Sequence, residues 1–166
     1  FSFFFRYGHD DLDFVVLFHQ LGKEQAQKLH EDDRLYDVGD TIFIGSTPLG
    51  NSSLSLYLRE YHDNALSMYP AIGNVKEGRL PEEAIEIALS EDALQYLGLD
   101  AVIGDTVSLD LSVSVMDGSL SELEYSADFV LTGILESSYI GYASGTVDGI
   151  VGEGTAEELL PEEYLL

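Results

Sequence analysis

The 166-residue sequence contains no cysteine, which excludes disulfide bridges and thiolate metal sites. It also has few basic residues: seven lysine and arginine residues stand against 31 acidic ones, and the formal net charge is -24. Because phosphate backbones and anionic bilayers repel such a charge, we expect no nucleic-acid partner and no binding to an anionic membrane surface. No apolar run approaches the ~18 residues of a membrane-spanning helix.

The composition is nevertheless that of a folded domain. Hydrophobic residues make up 45% of the chain, too many for a disordered acidic tail. The length fits one domain, or a domain with a lobe inserted into it. The chain opens with F-S-F-F-F, which is typical of a strand within a domain rather than of a free terminus. We therefore expect it to be a piece of a longer protein.

Alternation of apolar and polar residues predicts the strands. The clearest pair is 107–115 and 123–131, which Asp117 and Gly118 join into an antiparallel hairpin with an acidic, wet outer face. By contrast, segment 137–154 is rich in glycine and small residues and is assigned no strand. The other predicted strands are 1–6, 12–18, 35–46 (with Gly39 and Asp40 as a turn or bulge), 54–58 and 84–89.

Short helices are expected between these strands. Segment 82–98 has the propensity for one long helix, but Ser90 is a strong N-cap and Gly98 a C-terminal stop. We therefore favour a strand at 84–89 followed by a helix at 91–97. The remaining helices are predicted at 22–31, at 63–68 behind an Asp63 cap, and at the C-terminus behind a Thr155–Glu158 capping box. The sequence thus predicts an α+β fold, mixed and strand-dominated.

The sequence contains one candidate cation-binding cluster and no catalytic motif. His9, Asp10, Asp11 and Asp13 are the densest set of ligands for a hard cation, but they lack the glycine and the terminal glutamate of a calcium loop, so a solvated turn is favoured. Pairs of adjacent acids such as Glu157 and Glu158 lie in first helical turns or flanks, where they complement the helix dipole. No residue is therefore assigned to a catalytic, cofactor-binding or metal site.

Five short motifs, each of low specificity alone, occur in the order and with the spacing that one protein family shows. Together with a short helix and an entering strand in the first 39 residues, they resemble the extracytoplasmic core domain of ABC transporter permeases of the MacB/FtsX type. In that family a G-R-x-P loop precedes a strand ending in L-S, and an L-G helix, a G-D strand and a closing strand follow. The motifs here are E-G-R-L-P at 77–81, E-I-A-L-S at 86–90, L-x-x-L-G at 94–98, I-G-D-T-V at 103–107 and F-V-L-T-G-I-L at 129–135. Segments 116–123 and 137–154 depart from the family pattern, and the usual return strand is not evident before Leu166.

The resemblance implies both an architecture and a role. The chain would form an α/β, porter-like lobe from residues 1–70 and 136–166, with residues 71–135 inserted as a β-rich lobe. It would lie on the extracellular side of the bacterial cytoplasmic membrane and carry no active site or cofactor. Its partners would be an ABC ATPase subunit, reached through the rest of the permease, a second permease copy, and a peptide or protein substrate. The domain would couple cytoplasmic ATP hydrolysis to export or to engagement of a partner.

Two rival functions remain open from the residues themselves. The first is a free-standing extracellular binding or adhesion module with an acidic surface, which the net charge of -24 would suit. The second is a carboxylate-dependent hydrolase, which would require two buried acids facing each other in a concave site.

Overall fold

The computed structural model describes residues 2–7, 14–19, 23–35, 37–68, 72–117, 119–137 and 143–165. Strands dominate the described part, and its helices are short, so the predicted α+β class is confirmed. The strands are β1 (Ser2–Tyr7), β2 (Phe14–His19), β3 (Asp37–Pro48), β4 (Ser55–Asp63), β5 (Val75–Gly78), β6 (Glu86–Ser90), β7 (Thr106–Asp117), β8 (Ser119–Leu135) and β9 (Thr146–Val151). The helices are α1 (Lys23–His30), α2 (Glu91–Leu97), α3 (Thr155–Leu159) and a 3-10 turn at Glu162–Tyr164.

Six of the strands close into a mixed β-barrel in the order β3-β4-β9-β6-β8-β7. The pairs β4–β9 and β6–β8 are parallel, whereas the other pairs are antiparallel. The barrel closes where β3 meets β7, with Ser46 opposite Ser112. Outside the barrel, β1 and β2 extend the sheet from β3, and β5 pairs with β8.

The barrel interior is filled by the apolar faces of these strands, because alternate side chains of a strand point to opposite faces of its sheet. Phe129, Leu131, Ile44, Leu56 and Leu58 are fully buried there. Strands β7 and β8 pair in the predicted hairpin, and their apolar positions point inward while serine and acidic residues point out. The prediction for this hairpin is confirmed.

The barrel takes its strands from both of the lobes that the resemblance implies. Strands β3 and β4 lie within residues 1–70 and β9 within 136–166, whereas β6, β7 and β8 lie within 71–135. The division of the chain into two lobes stays a prediction.

The strand-then-helix interpretation of segment 82–98 is confirmed. Strand β6 ends at Ser90, whose hydroxyl accepts a hydrogen bond from the backbone N–H of Ala93 at 3.2 Å and so caps α2. The helix ends at Gly98, which adopts the left-handed conformation that glycine allows without steric cost.

Three local predictions are wrong. Residues 64–68 form turns rather than a helix, because Asp63 takes a φ of 50° and not the extended conformation of an N-cap. Gly39 and Asp40 lie inside β3, and the irregularity of that strand falls between Phe43 and Gly45. Segment 137–154, to which the sequence assigns no strand, contains β9, which pairs in parallel with β4. Its glycine at 149 obscured the apolar alternation in the sequence.

None of the helices in the described ranges is long and apolar enough to span a membrane.

Candidate functional site

Histidine and carboxylate side chains gather at the C-terminal end of β4, beside α1 and the start of α3. They fall into two adjoining groups. The buried pair consists of Glu60 and His62, which both lie on β4. The outer triad consists of His30, Asp40 and Asp63, contributed by α1, β3 and β4.

Glu60 is the most buried acid in the described part of the chain, with 1% of its surface exposed. It continues the inward face of β4 after Leu56 and Leu58. Its carboxylate accepts the backbone N–H groups of Gly154 at 2.9 Å and Ala156 at 2.7 Å, so it satisfies two donors at the start of α3. Burial alone would raise the pKa of Glu60, but His62 and these two N–H groups together lower it.

His62 is the charge partner of Glu60. Its Nε2 lies 2.8 Å from Oε1 of Glu60, and its Nδ1 lies 3.7 Å from Oε1 of Glu153. Despite this short distance Nε2 makes no well-aligned hydrogen bond with the Glu60 oxygen, so the contact is mainly electrostatic and forms an ion pair when His62 is protonated. The Glu60 carboxylate raises the pKa of His62 against the opposing effect of burial, with further contributions from Asp40 and Glu153.

The outer triad places one imidazole between two carboxylates. Nε2 of His30 lies 3.6 Å from Oδ1 of Asp40, and Nδ1 lies 4.0 Å from Oδ2 of Asp63. One ligand atom from each of the three residues lies within 4.8 Å of the other two. Asp40 has 14% of its side chain exposed and Asp63 has 60%, so the triad opens to solvent on the Asp63 side.

The backbone around Asp63 explains how the two aspartates reach the same histidine. In the β3–β4 register Asp40 is opposite His62 and Gly39 is opposite Asp63, so regular alternation would put the two carboxylates on different faces. The positive φ of Asp63 ends that alternation and redirects its side chain. The following turn packs onto Gly39, where a Cβ atom would lie 2.3 Å from the backbone nitrogen of Ala65.

The two groups suit different chemistry. Imidazole and carboxylate are both ligands of divalent transition metals, so the outer triad has the donor types of a metal site. Glu60 is not suited to general-acid catalysis, because its neighbours favour the charged carboxylate. Within the described ranges no second buried carboxylate faces it.

A separate acidic surface lies on the outer face of the β7–β8 hairpin, and we call it the serine–acid ladder. Four successive outward-facing pairs each place a serine opposite an acid. The hydroxyl of Ser108 donates to Asp128, and that of Ser126 donates to Asp110, both at 2.5 Å. The four pairs are Ser108–Asp128, Asp110–Ser126, Ser112–Glu124 and Ser114–Glu122.

The sequence-based cation candidate lies outside the described residues, since His9 to Asp13 fall in the gap between β1 and β2. Sequence reasoning missed the outer triad because its members lie 10 and 23 residues apart along the chain, counting from His30 to Asp40 and from Asp40 to Asp63. It also missed Glu60. The signal was present there, because Glu60 keeps the two-residue period of the buried Leu56 and Leu58.

Comparison of the chain with known proteins finds no matching family model, no similar curated protein and no similar solved structure.

Proposed function

We propose that this chain is the extracellular domain of an ABC transporter permease of the MacB/FtsX type, with no catalytic role of its own. In this proposal the finer architecture is that of a MacB-like core domain, and the domain couples cytoplasmic ATP hydrolysis to export or partner engagement. The support comes from where the family-like residues meet in the fold.

The first supporting contact anchors the G-R-L-P loop. Arg79 makes two hydrogen bonds to the carboxylate of Glu86, at 2.8 Å and 2.5 Å, and this carboxylate also accepts the backbone N–H groups of Glu82 and Glu83. The Arg79 guanidinium holds the pKa of Glu86 at about 2, well below the usual range. The loop is therefore held in one conformation against the strand that follows it.

The observation that carries the proposal is the meeting of three motif segments, because the G-R-L-P loop and the I-G-D-T-V segment both contact residues 131–133 of the closing strand β8. The backbone N–H of Arg79 donates to the carbonyl of Thr132, and that of Gly104 donates to the carbonyl of Leu131. Gly133 lies so close to the first motif that a Cβ atom there would be 2.3 Å from the carbonyl oxygen of Arg79. Residues that match the family pattern thus hold one side of the barrel together, as expected if the pattern encodes this fold.

The serine–acid ladder is the surface we assign to a cationic peptide or protein partner. Its acids Asp110, Glu122, Glu124 and Asp128 are all exposed. Five lysine and arginine side chains form ion pairs with acids outside the ladder: Lys28–Glu24, Arg34–Asp32, Arg59–Asp148, Lys76–Glu91 and Arg79–Glu86. Binding of a basic peptide should therefore weaken as salt is added. Binding that is indifferent to salt would contradict this assignment.

The permease proposal is tested by the location of the domain in the complete gene product. Because the chain has no cysteine, a Ser121→Cys substitution at an exposed position of β8 introduces a single thiol within it. In intact cells we expect a membrane-impermeant maleimide to label this thiol, and we expect the protein to stay in the membrane fraction after alkaline washing. An Ala93→Cys variant is the matched control, since Ala93 is fully buried and its thiol should react only after unfolding.

Two results would contradict the proposal. Labelling of Ser121→Cys only after cell lysis would put the domain on the cytoplasmic side. Release of the complete protein by alkaline washing would instead favour the free-standing binding module, whose surface would be the same serine–acid ladder.

A further inference from the structure

We propose that His30, Asp40 and Asp63 form a binding site for a divalent transition-metal ion, with Zn²⁺ as the best-suited ion. This inference does not depend on the permease proposal. It rests on the three ligand atoms that α1, β3 and β4 bring together at one point.

The three ligand atoms lie near one another but farther apart than they would be around a bound ion. Ligand atoms around a tetrahedral Zn²⁺ lie about 3.3 Å apart, because each sits about 2.0–2.1 Å from the ion. One ring nitrogen of His30 and one carboxylate oxygen of each aspartate lie within 4.8 Å of one another. The 3.6 Å contact with Asp40 is made by Nε2 and the 4.0 Å contact with Asp63 by Nδ1, so the ion would bind one of these nitrogens and the aspartate on the other side would turn towards it. Rotation of the His30 and Asp63 side chains would close the difference, and these side chains are 36% and 60% exposed.

The donor set selects the class of ion. Two carboxylates alone would suit Ca²⁺ or Mg²⁺, but an imidazole nitrogen favours the borderline ions Zn²⁺, Cu²⁺, Fe²⁺ and Ni²⁺. A divalent ion would offset the two aspartate charges in a chain whose net charge is -24. Three protein ligands leave a fourth position for water or for a group of a partner.

The site would connect a weakly packed helix to the barrel. Helix α1 is polar along most of its length: Ala26 is buried and Leu29 is half-buried, whereas its other described side chains are exposed. His30 is its last residue, and Asp40 and Asp63 belong to barrel strands. A metal bound by all three would therefore fix the C-terminal end of α1 against β3 and β4, and metal binding would stabilise the fold by mass action.

The direct test is calorimetric titration of the untagged protein with ZnCl2, together with thermal unfolding in the presence and absence of the metal. We expect one Zn²⁺ per chain and a higher Tm in its presence. His30→Asn and Asp63→Asn should each weaken binding by about tenfold or more. CaCl2 and MgCl2 should bind at least about tenfold more weakly than ZnCl2, because they gain little from the imidazole.

Two matched controls keep the assignment specific. Glu31→Gln changes an exposed acid next to His30, and His9→Asn changes the histidine of the other sequence candidate; both should keep the wild-type affinity. The proposal is overturned by the absence of saturable Zn²⁺ binding, by wild-type affinity in His30→Asn, or by loss of binding in His9→Asn.

A second measurement needs no variant that might fail to fold. The imidazole resonances of the four histidines are followed by NMR in the wild-type protein during titration with Zn²⁺. We expect the assigned ring nitrogens of His30 to shift with the stoichiometry of the calorimetric titration. Shifts confined to other histidines would overturn the proposal.

Discussion

The hydroxyl oxygen of Thr155 lies 2.9 Å from the backbone nitrogen of Ile85 and accepts its hydrogen bond, although the two residues are 70 positions apart. The same hydroxyl donates to the carbonyl of Gly152 at 2.6 Å. Ile85 has a φ of 66°, which is unusual and strained for a β-branched residue. Its carbonyl is held in turn by the N–H of Val130. Thr155 and Val130 therefore fix a strained residue from both sides.

We expect Thr155→Val to destabilise the protein by about 1–3 kcal/mol, because it leaves the partly buried N–H of Ile85 without its acceptor. Thr155→Ser is the matched control: it keeps the hydroxyl and should recover most of that loss. Urea unfolding followed by circular dichroism measures both variants. A Thr155→Val variant as stable as the wild type would contradict the role of the hydroxyl.

The same threonine shows which part of a local sequence signal is reliable. The Thr155–Glu158 pattern correctly predicts a helix, and α3 begins at Thr155. The predicted cap is wrong, because Gly154 occupies the N-cap and the threonine hydroxyl bonds to Gly152 and Ile85 instead. A capping box depends on side-chain direction, which here is determined by a partner 70 residues away.

The second prediction concerns the buried carboxylate that caps α3. Glu60→Gln should destabilise the fold by about 2–4 kcal/mol, because an amide cannot accept both the Gly154 and Ala156 N–H groups and His62 loses its charge partner. The control is Glu153→Gln, which removes an exposed acid 3.7 Å from the same histidine and should cost less than about 0.5 kcal/mol. Thermal unfolding at neutral pH compares them, and similar effects from the two variants would refute the structural role of Glu60.

The third prediction is a loss of stability at alkaline pH that depends on Tyr125. Its hydroxyl donates to the carbonyl of Ile44 at 2.5 Å, and burial raises its pKa from the usual 10 to about 12. The unfolded chain therefore releases this proton first, so the stabilising effect is fully present below pH 10 and is lost as the pH rises towards 12.

We expect the wild-type protein to lose about 1–2 kcal/mol more than Tyr125→Phe between pH 9.5 and pH 12, somewhat less than the full shift implies because the ring is only partly shielded from water. The measurement is urea unfolding at several pH values. Tyr96→Phe, on an exposed ring of α2, is the control and should follow the wild type. A Tyr125→Phe curve parallel to that of the wild type would contradict the prediction.

Patterns in the sequence predicted strands and helices correctly wherever the burial of a residue follows from its spacing along the chain. The β7–β8 hairpin, β6 and α2 come from unbroken alternation or from a cap and stop that lie next to the element they bound. Segment 64–68 failed because the close approach of Ala65 to Gly39, a tertiary contact, determines its path. The outer triad could not be predicted for the same reason: the sequence does not show that α1 ends beside β3 and β4.

The last prediction separates two reasons for a glycine within the family-like motifs. At Gly133 a Cβ atom would lie 2.3 Å from the carbonyl oxygen of Arg79, a backbone atom that cannot rotate away. At Gly104 nothing lies within 4 Å of the Cβ position, but φ is 95°. Gly133→Ala should therefore cost about 2–4 kcal/mol through displaced backbone, and Gly104→Ala only about 1 kcal/mol through left-handed strain. Urea midpoints measure the difference. If Gly104→Ala is as destabilising as Gly133→Ala, the close approach of the Arg79 carbonyl is not what makes Gly133 harder to replace than Gly104.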